Sequence, residues 1–195
     1  MRILEVVLPA SDPEALALFH AQFAVSTRVR FRAGPDDCSH WALNVAPERF
    51  DEAVAFAGQR VAMLHRDVSF EAWRARAAYF FDPAGNIVEL IARERAPGDE
   101  MFLEVSEVGL PVDDVSVAVD FLESELGLPY FSGDRRTFAA VGDDRGLFIV
   151  VPVGRPWLFT DRPAPDAPIE VTIAAARGDE VRVPGSAHTL RLASG

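Results

Sequence analysis

An α+β fold of repeated strand–helix–strand modules is what this sequence predicts, and three observations lead there. The segment Glu5-Val6-Val7-Leu8-Pro9-Ala10-Ser11-Asp12 recurs as Glu107-Val108-Gly109-Leu110-Pro111-Val112-Asp113-Asp114. Each copy reads as a strand with Glu first, Leu-Pro at its fourth and fifth positions, and Asp opening a helix. His40-Trp41-Ala42-Leu43-Asn44-Val45 is a third such strand, again followed by a helical pattern. Finally, Tyr79 to Leu90 reads as strand, tight turn and strand. Within it Asp82-Pro83-Ala84-Gly85-Asn86 supplies the turn: Pro fixes one φ, Gly permits a positive one, and Asp and Asn bond local backbone.

The elements follow in order. A strand over 2–9 leads into a helix over about 12–23, with Ser11 or Asp12 as N-cap and Pro13 in the first turn. Strands at about 26–32 and 40–46 precede a helix over 47–59 that opens on Pro47 and Glu48. Strands near 61–64, 76–81 and 86–92 complete the first half. Residues 93–100 are charged and carry Pro-Gly, which reads as a linker. Beyond it come a strand at 102–112 and a helix at about 114–126, capped by Asp113 or Asp114 and ended by Gly127. Strands at 129–132, 136–142 and 146–153, a Pro-rich loop over 154–168, and strands at 169–175, 179–183 and 187–193 finish the chain. The run Gly146-Leu147-Phe148-Ile149-Val150-Val151 suits a fully buried strand. Two domains are expected, 1–93 with a shortened first module and 102–195 as a degenerate copy.

Composition sets limits on function. The 195 residues are 49% hydrophobic, enough for a substantial core. A formal net charge of −11 argues against nucleic acid or an anionic membrane as partner. Cys38, the single cysteine, excludes an internal disulfide and a Cys-based zinc site, and suits a reducing, cytoplasmic location. No signal-peptide pattern and no apolar run near 18 residues occurs.

Glu89 stands alone in the apolar strand Asn86 to Ala92. A carboxylate there costs several kcal/mol if buried and unpaired, so a cation partner is expected. The alternative is a Glu on a solvated strand face.

The arrangement resembles the vicinal oxygen chelate superfamily of glyoxalases, extradiol ring-cleaving dioxygenases and antibiotic-resistance proteins. His40 to Val45 and Tyr79 to Glu89 carry the resemblance most specifically, with Phe70-Glu71-Ala72-Trp73 adding to it. It implies a glyoxalase/extradiol dioxygenase fold, in which paired βαβββ modules form curved mixed sheets around a metal, here partly degenerate. Carried onto this chain, the ligand positions fall on Glu5, His40 and Glu89; a fourth, a Glu ending the first module, has no counterpart. Strand alternation agrees, placing Ile3, Glu5 and Val7 on one face, His40, Ala42 and Asn44 on one face, and Ile87, Glu89 and Ile91 on another. One imidazole and two carboxylates suit a divalent ion such as Mn, Zn, Fe, Ni or Co, the harder set favouring Mn or Zn.

The resemblance also implies a small, oxygen-rich substrate chelated through two adjacent oxygens. Tyr79, ten residues before Glu89, matches the dioxygenase Tyr; Tyr79 or Glu89 is the expected proton carrier. The acid–base His that precedes that Tyr in dioxygenases is missing from Phe70 to Arg74, which favours lyase or isomerase chemistry over ring cleavage. Asn44 and Trp73 are candidate substrate contacts. His188 reads as a surface residue, and Glu107, Glu170 and His188 as a weak second cluster. The other class implied is a metal-free drug-binding protein of the bleomycin-resistance type, which uses the cup, often as a homodimer.

Overall fold

The computed structural model describes residues 1–94, 98–176 and 178–194; part of the expected linker lies outside them. Four modules follow one another. The first is β1 (Ile3–Ala10), α1 (Pro13–His20) and β2 (Arg28–Ala33). The second is β3 (His40–Val45), α2 (Phe50–Gly58), β4 (Met63–Phe70), β5 (Ala75–Phe81) and β6 (Ile87–Arg93). The third is β7 (Phe102–Val112), α3 (Val115–Ser124), β8 (Tyr130–Gly133), β9 (Ala139–Asp143) and β10 (Gly146–Pro152). The fourth, without a helix, is β11 (Glu170–Ala175), β12 (Asp179–Arg182) and β13 (Thr189–Ser194).

Local chemistry explains the helix starts and the turn. Asp12 accepts from the Ala15 amide at 3.0 Å, and Asp114 from the Ser116 and Val117 amides at 2.9 and 3.2 Å, so both repeats cap their helices alike. In the β5–β6 turn, Asp82 Oδ1 accepts from the amides of Ala84 and Asn86, while Gly85 takes a φ of +83°. Asp82 Oδ2 receives the Asn86 side chain and His20 Nε2, at 3.0 and 2.9 Å. The turn is thereby tied to α1.

The second and third modules form an eight-stranded sheet in the order β4-β5-β6-β3-β7-β10-β9-β8. Each module places its first strand at the centre and its last strand, parallel to the first, beside it. The two first strands, β3 and β7, pair antiparallel and join the halves. The first and fourth modules form the other sheet, β12-β13-β11-β1-β2, by the same rule: β1 pairs parallel with β2, β11 parallel with β13, and β1 antiparallel with β11.

This pairing corrects the expected division near residue 98. The strand pairing that joins the halves of the larger sheet runs between β3 and β7, on either side of that point. Residues 102–152 form half of the sheet that the first half begins. Between the sheets lies a core of Val6, Leu8, Trp41, Leu43, Phe80, Leu110, Phe148 and Val171. Among the described residues, no helix is long and apolar enough to cross a membrane.

Candidate metal centre

The curved sheet brings three ligand-type side chains together from its central strands. His40 opens β3, Glu89 lies mid-β6, and Glu107 lies on β7. His40 Nε2 is 3.6 Å from Glu89 Oε2 and 3.9 Å from Glu107 Oε2. One ligand atom from each falls within 4.8 Å of the others. All three residues are buried, at 8, 4 and 2% exposure.

Glu107 replaces the expected Glu5. A register shift in β1 between Ile3 and Glu5 breaks the alternation: Ile3, Val6 and Leu8 point into the core and Glu5 points out. Glu5 sits in the five-stranded sheet, where Arg28 and Arg30 reach it at 3.2 and 3.7 Å. Both Glu residues open the same repeated motif, and only the pairing of β3 with β7 distinguishes them.

Beneath the three ligands runs a buried polar network. Arg93, 1% exposed, donates from Nη2 to Glu107 Oε1, and from Nη1 to Asn44 Oδ1 at 2.6 Å and Ser106 Oγ at 3.2 Å. Asn44 also donates to Glu104 and to the Asp144 carbonyl at 3.1 and 3.2 Å. Asn44 is thus fully engaged below the cup, contrary to its expected role as a substrate contact. Arg93 holds one oxygen of Glu107 and leaves the other facing His40, the arrangement by which outer groups orient a ligand.

Tyr79 pairs with Glu89 across β5 and β6. Burial, then the charges of Glu89 and Glu107, push its phenol well up, so it stays protonated as a donor towards Glu89. Burial and the nearby Glu107 charge push the Glu89 carboxyl well above its usual range; Arg93 and the Tyr79 hydrogen bond oppose this. Two carboxylates share one guanidinium here, so with both ionised one negative charge is uncompensated in a buried place. A divalent cation among His40, Glu89 and Glu107 offsets that charge, and nitrogen plus carboxylate oxygen is a donor set such ions accept.

Above the ligands is a cavity of about 380 Å³ with mostly apolar walls, including Phe70, Trp73, Phe138, Ile149 and Trp157. Trp73 is held by an indole bond to Ser132 Oγ at 3.1 Å, and Trp157 by one to the Cys38 carbonyl at 2.7 Å. Trp157 reaches the centre from the Pro-rich loop and lies 5.3 Å from the His40 ring. Its approach depends on Gly109, where a Cβ would stand 2.6 Å from Trp157 Cη2. Ile149 takes the place symmetric to Glu89: Glu89 pairs with the residue two past His40, and Ile149 with the residue two past Glu107.

The other candidates lie elsewhere. His188 is not at the surface; it is 1% exposed, accepts the Ile169 amide at Nδ1 and meets the Pro111 carbonyl at Nε2. Glu170 is ion-paired to Arg191, so with Glu107 in the cup the weak second cluster does not assemble.

Neither a protein-family model nor a curated protein sequence matches the chain. Solved structures do. A candidate dioxygenase from Bacillus subtilis superposes with a TM-score of 0.65 at 12% identity, over 98% of this chain and 85% of that one. Glyoxalase I from Zea mays gives 0.59 at 14% identity, over 99 and 92%, and a variant of it gives 0.63 at 13%, over 98 and 93%. With the module pairing described above, these likenesses establish that the chain has the fold of glyoxalase I and of that dioxygenase.

Proposed function

We propose that this protein is a metal-dependent enzyme that chelates a small, oxygen-rich substrate through two adjacent oxygens and moves a proton on it. The observation that carries this reading is the buried group of His40, Glu89 and Glu107 at the floor of an apolar, aromatic-walled cavity. A divalent ion bound there supplies Lewis-acid polarisation of the substrate oxygens. His40, Glu89 and Glu107 hold it, and Arg93 orients Glu107. Trp73, Phe138 and Trp157 exclude water and pack an apolar or aromatic substrate body. Glu89 accepts and returns the proton, with the Tyr79 hydroxyl beside it as donor.

Among the described residues lining the cavity, His40 is the only histidine. An additional imidazole of the kind that serves ring cleavage is lacking there, which favours lyase or isomerase chemistry. The pair of tryptophan walls supports a second reading, metal-free binding of an aromatic compound in the same cup.

Elemental analysis of protein purified without added metal, beside a His40→Ala/Glu89→Ala variant, separates the two. About one equivalent of a divalent transition metal in the parent, lost in the variant, is the expected result. It would also name the ion for substrate screens. A parent that stays metal-free after reconstitution refutes the enzyme reading and leaves the binding one.

A further inference from the structure

The Pro-rich loop that carries Trp157 begins as a hairpin. The Gly154 amide bonds the Ala164 carbonyl, the Ala164 amide the Arg155 carbonyl, and the Trp157 amide the Arg162 carbonyl, at 2.8 to 3.0 Å. Arg155 and Trp157 are alternate residues of one arm, about 6.5 Å apart along it, so their side chains turn to the same side. Both line the cup cavity. The arm crosses the cup. Trp157 stands by His40, while the Arg155 guanidinium carbon lies 5.6 Å from the centre of the Phe138 ring, just before β9. Between these ends lies Ile149 of β10, the strand that separates β7 from β9.

The chain has no lysine, and Arg155 is the only arginine among the described residues that line this cavity. It is partly buried. Glu89 and Glu107, the two acids of the cavity, face His40 and Arg93 and form no ion pair with Arg155. A guanidinium has five N–H donors. One of them goes to the Pro156 carbonyl, at 3.2 Å. The Phe138 ring packs near the guanidinium, a contact that uses no donor. A cation among apolar walls, without an anion from its own chain, calls for one from a ligand.

Charge and shape select that anion. One guanidinium balances one negative charge, and its fork matches a carboxylate through two parallel bonds. A phosphate carries about −1.5 to −2 at neutral pH, which would bring excess charge to a cavity that already holds two glutamates. An amide or hydroxyl would leave the guanidinium uncompensated. We infer that Arg155 anchors a carboxylate at the end of the ligand away from His40, Glu89 and Glu107, so that the substrate is a small acid with an apolar or aromatic body between its carboxylate and its chelating oxygens. This deepens the function proposed above and rests on its reading of the cup as the ligand site; the carboxylate contact itself needs no metal.

3-Phenylpropanoate and its neutral isostere 3-phenylpropanamide are the probes. They are titrated into the full chain as purified and again after treatment with a chelator. The indole N–H signals of Trp73 and Trp157 in a proton–nitrogen correlation spectrum, assigned by Trp73→Phe and Trp157→Phe, report occupancy of the cup. The acid should shift the Trp157 signal saturably and bind about tenfold or more tightly than the amide, with the chelator as without it. Arg155→Met should remove that preference, and Arg155→Lys, which keeps the charge but not the fork, should restore part of it. Indole signals unmoved by the acid, equal affinity of the parent for acid and amide, or a preference that survives in Arg155→Met would each overturn the inference. So would a preference lost on chelation, which would put the carboxylate on the ion, or one that Arg155→Lys fails to restore, which would assign the loss to the hairpin. Metal content is read separately, by the elemental analysis above, so a failure here and a failure of the enzyme reading are told apart.

Discussion

Arg93 grips one carboxylate oxygen of Glu107 while the other oxygen turns to His40 at 3.9 Å. Both members of this pair are almost fully buried, and removing one partner of such a pair strands the other charge. Arg93→Met should therefore destabilise the metal-free protein by about 3–5 kcal/mol. The double change Arg93→Met/Glu107→Met should recover most of that loss. Urea midpoints measure both. A single-variant loss below about 1 kcal/mol would mean that Glu107 is not held as described.

Glu89 and the Asp82–Asn86 turn stand out in the sequence through local pattern, an isolated carboxylate and turn chemistry, while His40 is marked by the family resemblance, with which strand alternation agrees. Glu107 does not stand out, because its role depends on which strands meet. Glu5 and Glu107 share a motif, and only the pairing of β3 with β7, together with the shift in β1, sends one inward and one outward. Arg93 was hidden in the same way. It ends β6 where a linker was expected, and its partners Asn44, Ser106 and Glu107 come from two other strands. The burial of His188 likewise needed Pro111, 77 residues away, to be seen.

Gly109 makes room for the wall over the cup. A methyl group there meets the Trp157 ring on one side and the His40 carbonyl, at 3.2 Å, on the other. Of the two, only the loop that carries Trp157 can give way. Gly109→Ala should cost about 1–3 kcal/mol, as overpacking does. Displaced Trp157 should lose its bond to the Cys38 carbonyl, seen as a red shift in its fluorescence and faster exchange of its indole proton. Unchanged Trp157 signals would contradict this account.

His188 links stability to pH. Burial lowers its pKa, opposed by the Pro111 carbonyl and the Asp166 charge. A histidine with a depressed folded pKa leaves the unfolded chain holding the extra proton. Its neutral form is at no disadvantage above the unfolded value of about 6.5, and stability is lost as pH falls from there towards the folded pKa. The limiting slope for one excess proton is about 1.4 kcal/mol per pH unit. Chemical denaturation at pH 7.5 and 5.5 should show the parent losing more stability than His188→Gln, which carries no such proton. Parallel losses would assign the acid sensitivity to other groups.

Ile149 tests the symmetry of the centre. It stands on β10 where β6 carries Glu89, and it lines the same cavity. Ile149→Glu adds a fourth ligand-type group to the three already there. Without metal, a third carboxylate in this buried place has no cation, and the variant should unfold at lower urea than the parent. With a divalent ion it should bind more tightly than the parent, roughly tenfold or about 1.4 kcal/mol, and the added metal should raise its midpoint by more. Calorimetric titration with Mn(II) or Zn(II), beside melts with and without the ion, reads both. A variant that is destabilised yet gains no metal affinity would show that Ile149 does not face a metal, and would count against His40, Glu89 and Glu107 as its holders.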